Sequence, residues 1–245
     1  MGTNEGDPMR FFSDVVDFFT TTDSWTGPDG ILVRTFDHVR ISAFAVGVAV
    51  ILALPIAVWM GHHKRGAFLA ISLANIGRAV PSFGIVALAF PIALRLGLGI
   101  SSWPTFVALV ALAIPPMFTN GYTAVREVSA AAVEASVGMG MTDYEVLTRT
   151  ELPLAMPVIW TAIRVSAVQV VATATLGAVV GWGGLGRYVI DGFAQGNDVS
   201  VLVGALLVAV LSLITDQAFA VSERWVLPRG TSARVRTEVE LGAHG

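Results

Sequence analysis

The sequence predicts an all-α, polytopic membrane protein with five transmembrane helices. Three observations carry this prediction. Of 245 residues, 54% are hydrophobic and 13% charged, and the mean hydropathy is +0.71. A soluble domain is typically about 25% charged, and its core could not hide this much apolar surface, so a bilayer is the natural solvent. Apolar runs long enough to cross about 30 Å of hydrocarbon recur along the chain. Short polar turns and prolines separate them.

The first run, "VRISAFAVGVAVILALPIAVWMG", covers 39–61 and ends at "HHKRG", 62–66. The apolar stretch 67–98 is too long for one straight span and contains Asn75, Arg78, Pro81 and Pro91. It reads as a lead-in, 67–78, followed by a second span at about 79–98. "TFVALVALAIPPMFTNGY" with its flanks gives the third, about 103–122. A polar interruption fills 123–153. The fourth span is expected at 157–181 and the fifth at 199–221, with a glycine-rich turn and a short amphipathic piece, "WGGLGRYVIDGFAQGND", between them. The organisation is therefore an extracytoplasmic segment 1–36, a transmembrane domain 37–222 and a cytoplasmic tail 223–245. Residues 1–10 are polar, and "FFSDVVDFF" is too short and too acidic for the apolar region of a signal peptide.

Orientation follows from Lys and Arg. One set of flanks holds Lys64, Arg65, Arg126, Arg149, Arg224, Arg229, Arg234 and Arg236; the other holds Arg10, Arg34, Arg40, Arg95 and Arg187. The richer set places the 62–66 turn, the 123–153 loop and the C-terminus in the cytoplasm, with the N-terminus outside. No internal repeat supports an inverted-repeat transporter within one chain.

Several classes are disfavoured. The net charge is −3 with no basic stripe, so nucleic acid is not an expected partner. The absence of cysteine removes disulfides and thiolate metal sites. Of His38, His62, His63 and His244, none forms an HExxH-type pair; His62-His63 reads as a solvated turn, and no metal is expected. There is no GxxxxGK[ST] phosphate loop.

The interruption "VEASVGMGMTDYEVLTRTELP", 133–153, is the most informative stretch. Ser129 is placed to cap a helix through "AAAVEASVGM". Gly138 and Gly140 stop or bend it. Thr142 followed three residues later by Glu145 is a capping box that starts a second short helix, "DYEVLTRTEL". Pro153 and Pro157 are expected to end that helix before the fourth span. Tyr144, Val146 and Leu147 offer apolar groups among Glu145, Arg149 and Glu151. Physics alone leaves two readings open: an amphipathic helix lying on the membrane, or a stiff element that docks a partner.

Here a resemblance adds to the reading. Glu134-Ala135-Ser136, Gly140 and Thr150-Glu151-Leu152-Pro153 match, at the same spacing, the cytoplasmic motif of ABC importer permeases: Glu-Ala-Ala, three residues, Gly, nine residues, Ile, any residue, Leu-Pro. Ser136 stands for Ala and Thr150 for Ile; the second change is expected to loosen packing at the end of the docking helix. "NIGRAVPSFGIVALAFPI", 75–92, resembles the second core span of five-span permeases of the type I importer fold, and "GWGGLGRYVIDGF", 181–193, their extracellular turn. "GMGMTDYEVLTRTELPLAMPVI", 138–159, and "WTGPDGI" are similar to osmoprotectant permeases, which import glycine betaine, choline or carnitine. The resemblance covers about 25–230. Methionine importer permeases share the Asn-Ile-x-Arg-x-x-Pro and Gly-Gly-Leu-Gly patterns and are the nearest alternative.

The resemblance implies a transmembrane subunit in the cell membrane of a prokaryote, not itself an enzyme. It implies that Glu134, Ala135, Gly138, Gly140, Thr142, Asp143, Glu145, Leu152 and Pro153 couple to cytoplasmic ABC ATPase subunits. Asn75, Pro81, Gln169, Thr173, Gly183 and Gly184 are candidates for the translocation path. The other implied partners are a second permease subunit, the same or similar, an extracytoplasmic solute-binding protein and membrane lipid. No cofactor is expected, ATP being bound by the partner subunit.

Other polar residues have simpler readings. Arg78 snorkels to headgroups. Asp216 pairs with Arg224 or faces water. Gln169, Thr173 and Thr175 bond backbone or hold helices together. Trp182 anchors at the outer interface rather than holding a cation. Rival classes are a secondary transporter using Asp216 or Arg78, and a membrane scaffold.

Overall fold

The computed structural model describes residues 8–79, 81–97 and 102–226. Every regular element among them is helical. In lipid each backbone N–H and C=O must find a protein partner, and a helix supplies them all within its own segment. The helices are α1 (Pro8–Thr20), α2 (Ile31–His62), α3 (Ala67–Ala79), α4 (Ser82–Arg95), α5 (Trp103–Arg126), α6 (Ala130–Gly138), α7 (Asp143–Val146), α8 (Leu152–Ala174), α9 (Gly186–Gln195) and α10 (Asp198–Val226). A π turn, Leu147–Glu151, joins α7 to α8, and a 3₁₀ turn, Thr175–Val180, follows α8. Among the described residues, four stretches are long and apolar enough to cross a membrane: α2, α5, the continuous run Asp143–Val180, and α10. A fifth is present if α3 and α4 together form one span.

Three expected boundaries change. Helix α2 starts at Ile31, not 39. At about 1.5 Å per residue, its 32 residues exceed the hydrocarbon thickness, so its charged first turns and His62 extend beyond the apolar 39–61 core. The expected lead-in, 67–78, is α3, and within the expected second span, 79–98, the helix α4 runs only from Ser82 to Arg95. Pro81, at φ −63° and ψ 127°, precedes the first turn of α4, where its missing N–H costs nothing. Residues 80 and 98 lie outside the described residues, as do the side chain of Arg78 and the tail beyond 226. The fourth span is not separated from the loop helix, as detailed below.

Helix α2 carries a small residue at every fourth position: Ala45, Ala49, Ala53, Ala57 and Gly61, all buried. Small residues let helices approach closely where lipid provides no hydrophobic drive.

The chain divides into two compact units. The first comprises Met1–Val48, Val80–Ala113 and Ala167–Thr215. Val86, Ala108 and Val180 form a core cluster there with Ile85, Phe90 and Leu176. His38 is fully buried. Its Nε2 lies 2.8 Å from the Val171 carbonyl, and its Nδ1 accepts from the Leu185 N–H at 3.3 Å. One donor and one acceptor role define a single tautomer. Trp182, expected as an interfacial anchor, is instead 9% exposed. Its ring lies 6.1 Å from that of His38 and fills the space beside Gly177 and Gly184. Gly184 has φ +76°, and a Cβ there would sit 2.8 Å from the indole.

The second unit comprises Ala49–Ala79, Ile114–Ser166 and Asp216–Gly245. A Cβ on Gly61 would meet the Tyr122 carbonyl at 2.8 Å, so the end of α2 lies directly against α5. The Thr119 hydroxyl donates to the Ala70 carbonyl at 3.3 Å, and the Trp160 indole N–H donates to the Phe219 carbonyl at 3.1 Å. Asp216 does not pair with Arg224. It accepts two hydrogen bonds of 2.6 Å from Arg164 of α8. Arg224 lies eight residues further along α10, about two helical turns away, whereas Arg164 faces Asp216 from the neighbouring helix.

Candidate coupling site

The interruption folds as the capping rules demand, with one exception. Helix α6 begins directly after Ser129, but the Ser129 side chain makes no capping bond, so this expected cap is absent. The helix ends at Gly138. Gly140 then adopts φ +83°. Its N–H donates to the Val137 carbonyl at 2.9 Å, and the Met141 N–H donates to the Ser136 carbonyl at 3.2 Å. These two bonds are a Schellman turn, which satisfies the last carbonyls of α6 and needs a left-handed residue at position 140.

Two residues later the capping box forms in full. The Glu145 N–H donates to the Thr142 hydroxyl at 3.4 Å, and the Thr142 N–H donates to the Glu145 carboxylate at 3.0 Å. The Thr142 N–H at 3.0 Å and the Thr142 hydroxyl at 2.9 Å, together with Arg149 at 3.1 Å, hold the Glu145 carboxyl below its ordinary range.

Pro153 and Pro157 do not end the helix. The turn Leu147–Glu151 widens to π spacing, and the Leu152 N–H reaches back five residues to the Leu147 carbonyl. Pro153 lacks an N–H, and in an α-helix its ring would clash with the carbonyl four residues back. The widened turn accommodates it, so the loop helix runs unbroken into the fourth span. A π turn inside an α-helix frequently marks a functional position.

The elbow's two halves are tied together. Ser136 is 4% exposed; its hydroxyl donates to the Ala132 carbonyl at 2.9 Å and lies 2.8 Å from the Thr150 hydroxyl. The two departures from the motif thus meet each other. Outward, the elbow presents Val137, Met139 and Tyr144, at 58%, 70% and 74% exposure. Glu134, Ala135, Asp143 and Arg149 are also exposed around them. Val146, expected on this surface, is buried.

A residue outside the motif anchors the elbow. The His62 side chain is 7% exposed. Its Nδ1 lies 2.5 Å from Glu151 Oε2 and its Nε2 lies 3.2 Å from Asp143 Oδ2. Burial opposes the charged ring, but hydrogen bonds and attraction from both carboxylates outweigh it. The His62 pKa is therefore raised above its ordinary 6.5. The solvated-turn reading of His62-His63 holds for His63, which is exposed, and fails for His62. Glu151 stands seven positions after Tyr144, which a plain α-helix would place on the same exposed face, so no local signal in the sequence marked it as buried or named its partner.

Of the candidate path residues, Asn75 belongs to the second unit and Pro81, Gln169, Thr173, Gly183 and Gly184 to the first. Asn75 is exposed on α3, beside a cavity of about 310 Å³ lined also by Thr119, Tyr122, Thr123 and Arg126. Pro81 precedes α4. Gln169 is exposed on α8, and the Thr173 hydroxyl donates to its carbonyl at 2.7 Å. Gly183 and Gly184 form the turn beneath Trp182. Arg164, a charge in the fourth span, is a residue that sequence reasoning passed over.

Apolar helices of membrane-spanning length, interrupted by a capped and outward-facing elbow, define a multi-pass membrane protein. The chain belongs to the family of binding-protein-dependent transport system inner membrane components, which matches residues 46–228. It is 36% identical over 200 residues to the glycine betaine/carnitine/choline transport system permease protein OpuCB of Bacillus subtilis (strain 168), covering 82% of this chain and 90% of that one. It is 33% identical over 183 residues to the osmoprotectant import permease protein OsmW of Salmonella typhimurium, covering 74% and 85%. In fold it is similar to the inward-facing MetNI methionine ABC transporter, with TM-score 0.69 at 21% identity over 81% of this chain and 96% of that one.

Proposed function

We propose that this chain is the transmembrane subunit of an ATP-driven importer for an osmoprotectant such as glycine betaine, choline or carnitine. The names of the relatives at 36% and 33% identity support the substrate class. The methionine transporter shares the fold at 21% identity and carries no argument about substrate.

The observation that carries the coupling role is the elbow. It exposes Val137, Met139 and Tyr144, rimmed by Glu134, Asp143 and Arg149. An apolar centre with a polar rim is the anatomy of a docking surface. The occupant is a cytoplasmic ATPase subunit that binds ATP. Because the loop helix is continuous with α8, movement of the ATPase is transmitted directly into the fourth span. The assembly contains a second permease subunit and an external solute-binding protein. The N-terminus is outside and the C-terminus cytoplasmic.

The test is affinity purification of the tagged chain from native membrane, with uptake of labelled glycine betaine measured in parallel. Glu134→Arg should insert normally, lose the co-purifying ATPase and lose uptake. Normal values for both would remove the docking claim. Uptake of methionine in place of glycine betaine would replace the substrate class and leave the coupling role standing.

A further inference from the structure

His62 stands at the point where α2 leaves the apolar 39–61 core, and it touches both ends of one short helical segment. Asp143 is the first residue of α7 and Glu151 the last of the π turn. Eight positions separate them, so a single imidazole grips the segment at two points about two turns apart. The contact to Glu151 is enclosed, with side-chain exposures of 7% and 5%. The contact to Asp143 is open, since Asp143 is 83% exposed. The geometry points to His62 as a positioning residue of the elbow, a proton-dependent latch that holds the loop helix at a fixed angle to the end of the first span. This rests on the reading of the elbow as the ATPase-docking element.

The chemistry follows from the ring. Both nitrogens face carboxylate oxygens, and carboxylates only accept. A neutral imidazole has one N–H and can satisfy one of them; only the protonated ring satisfies both. The other groups nearby are committed or open to water. His63 lies edge-on, 4.9 Å between ring centroids, with its Nδ1 at 2.9 Å from the Trp59 carbonyl. Arg126, at the end of α5 packed on Gly61, turns to the Tyr122 hydroxyl at 3.0 Å. Arg149 engages Glu145, and Lys64 and Arg65 are exposed. None of these contacts puts another cation between His62 and its two carboxylates.

The sign is that of a raised histidine. The latch is complete below about pH 6.5 and is lost as the pH rises through the higher value His62 has in the fold. His62, His63 and Asp143 also bring ligand atoms within 4.8 Å of one another. His62 has already spent both nitrogens on carboxylates, which argues for a proton rather than a metal ion at this place.

The test uses the full chain, which has no native cysteine. A spin label at Tyr144→Cys, in lipid nanodiscs without the ATPase, reports elbow mobility directly. Mobility should rise as the pH is raised from 6.5, and should be high and flat with pH in the His62→Gln background. Asp143→Asn, at the exposed contact, should weaken the pH response without abolishing it, and guards against His62→Gln failing to fold. In the unlabelled reconstituted complex, His62→Gln should lower substrate-stimulated ATPase activity about tenfold, equivalent to about 1.4 kcal/mol, with the KM for ATP unchanged. Equal pH profiles with and without His62 overturn the latch. So does a wild-type profile that EDTA abolishes, which would assign the cluster to a metal. A pH-dependent label with no ATPase bound to the wild-type chain keeps the latch and sinks the docking reading instead.

Discussion

The hydroxyls of Ser136 and Thr150 meet at 2.8 Å between the two halves of the elbow. These are the two positions at which the chain departs from the permease motif, so a hydrogen bond stands where the motif has two apolar residues. Such a bond contributes about 1 kcal/mol net, and leaving one partner alone costs more than replacing both. Ser136→Ala and Thr150→Ile should each destabilise the detergent-solubilised chain, and the double variant should recover much of the loss. A double-mutant cycle by thermal or denaturant unfolding reads this directly. Additivity within about 0.5 kcal/mol would mean the two residues are independent.

Gly140 is constrained by backbone geometry rather than by space. Its φ is +83°, and nothing lies within 4 Å of where a Cβ would be. Gly140→Val therefore costs about 1–3 kcal/mol in strain alone, whereas Gly140→Asn, which tolerates the left-handed region, should be nearly neutral. Membrane abundance should be normal in both, with substrate-stimulated ATPase activity reduced only in the valine variant. Equal loss in both would show that the surface at 140, and not the turn, is what the ATPase reads.

Arg164 and Asp216 hold α8 to α10 through two bonds of 2.6 Å. Their side chains are 28% and 32% exposed, so water offsets part of the cost of stranding one charge. Arg164→Met should lower the yield of folded protein more than the double variant Arg164→Met with Asp216→Leu, because the single change leaves an uncompensated carboxylate. Fluorescence size-exclusion chromatography ranks the two. The opposite order would show that the guanidinium has a role beyond the pair.

Sidedness is open to direct labelling. Single cysteines at Ser24 and Ser232, the latter in the tail beyond the described residues, should respond oppositely to an impermeant thiol reagent on intact cells. Ser24→Cys should label and Ser232→Cys should not until the membrane is permeabilised. Labelling of both at once would contradict an odd number of spans.

The sequence by itself determined what depends on near neighbours. Apolar run length set the helical spans, and the glycine at 140 and the Thr142–Glu145 box set the elbow, because capping acts over three to six residues and reads directly from the chain. The tertiary structure decided what depends on how helices are rotated against each other. His62 meets Glu151 across 89 positions and Arg164 meets Asp216 across 52; no local pattern names either partner. It also overruled the prolines. Pro153 and Pro157 read as a stop because the ring crowds the carbonyl four residues back; the π turn at Leu147–Glu151 supplies room at Pro153, and Pro157 lies inside α8 all the same. The same turn carries Glu151 inward to His62. A change of one residue in helical register therefore decided both that the loop joins the fourth span and that the first span holds it.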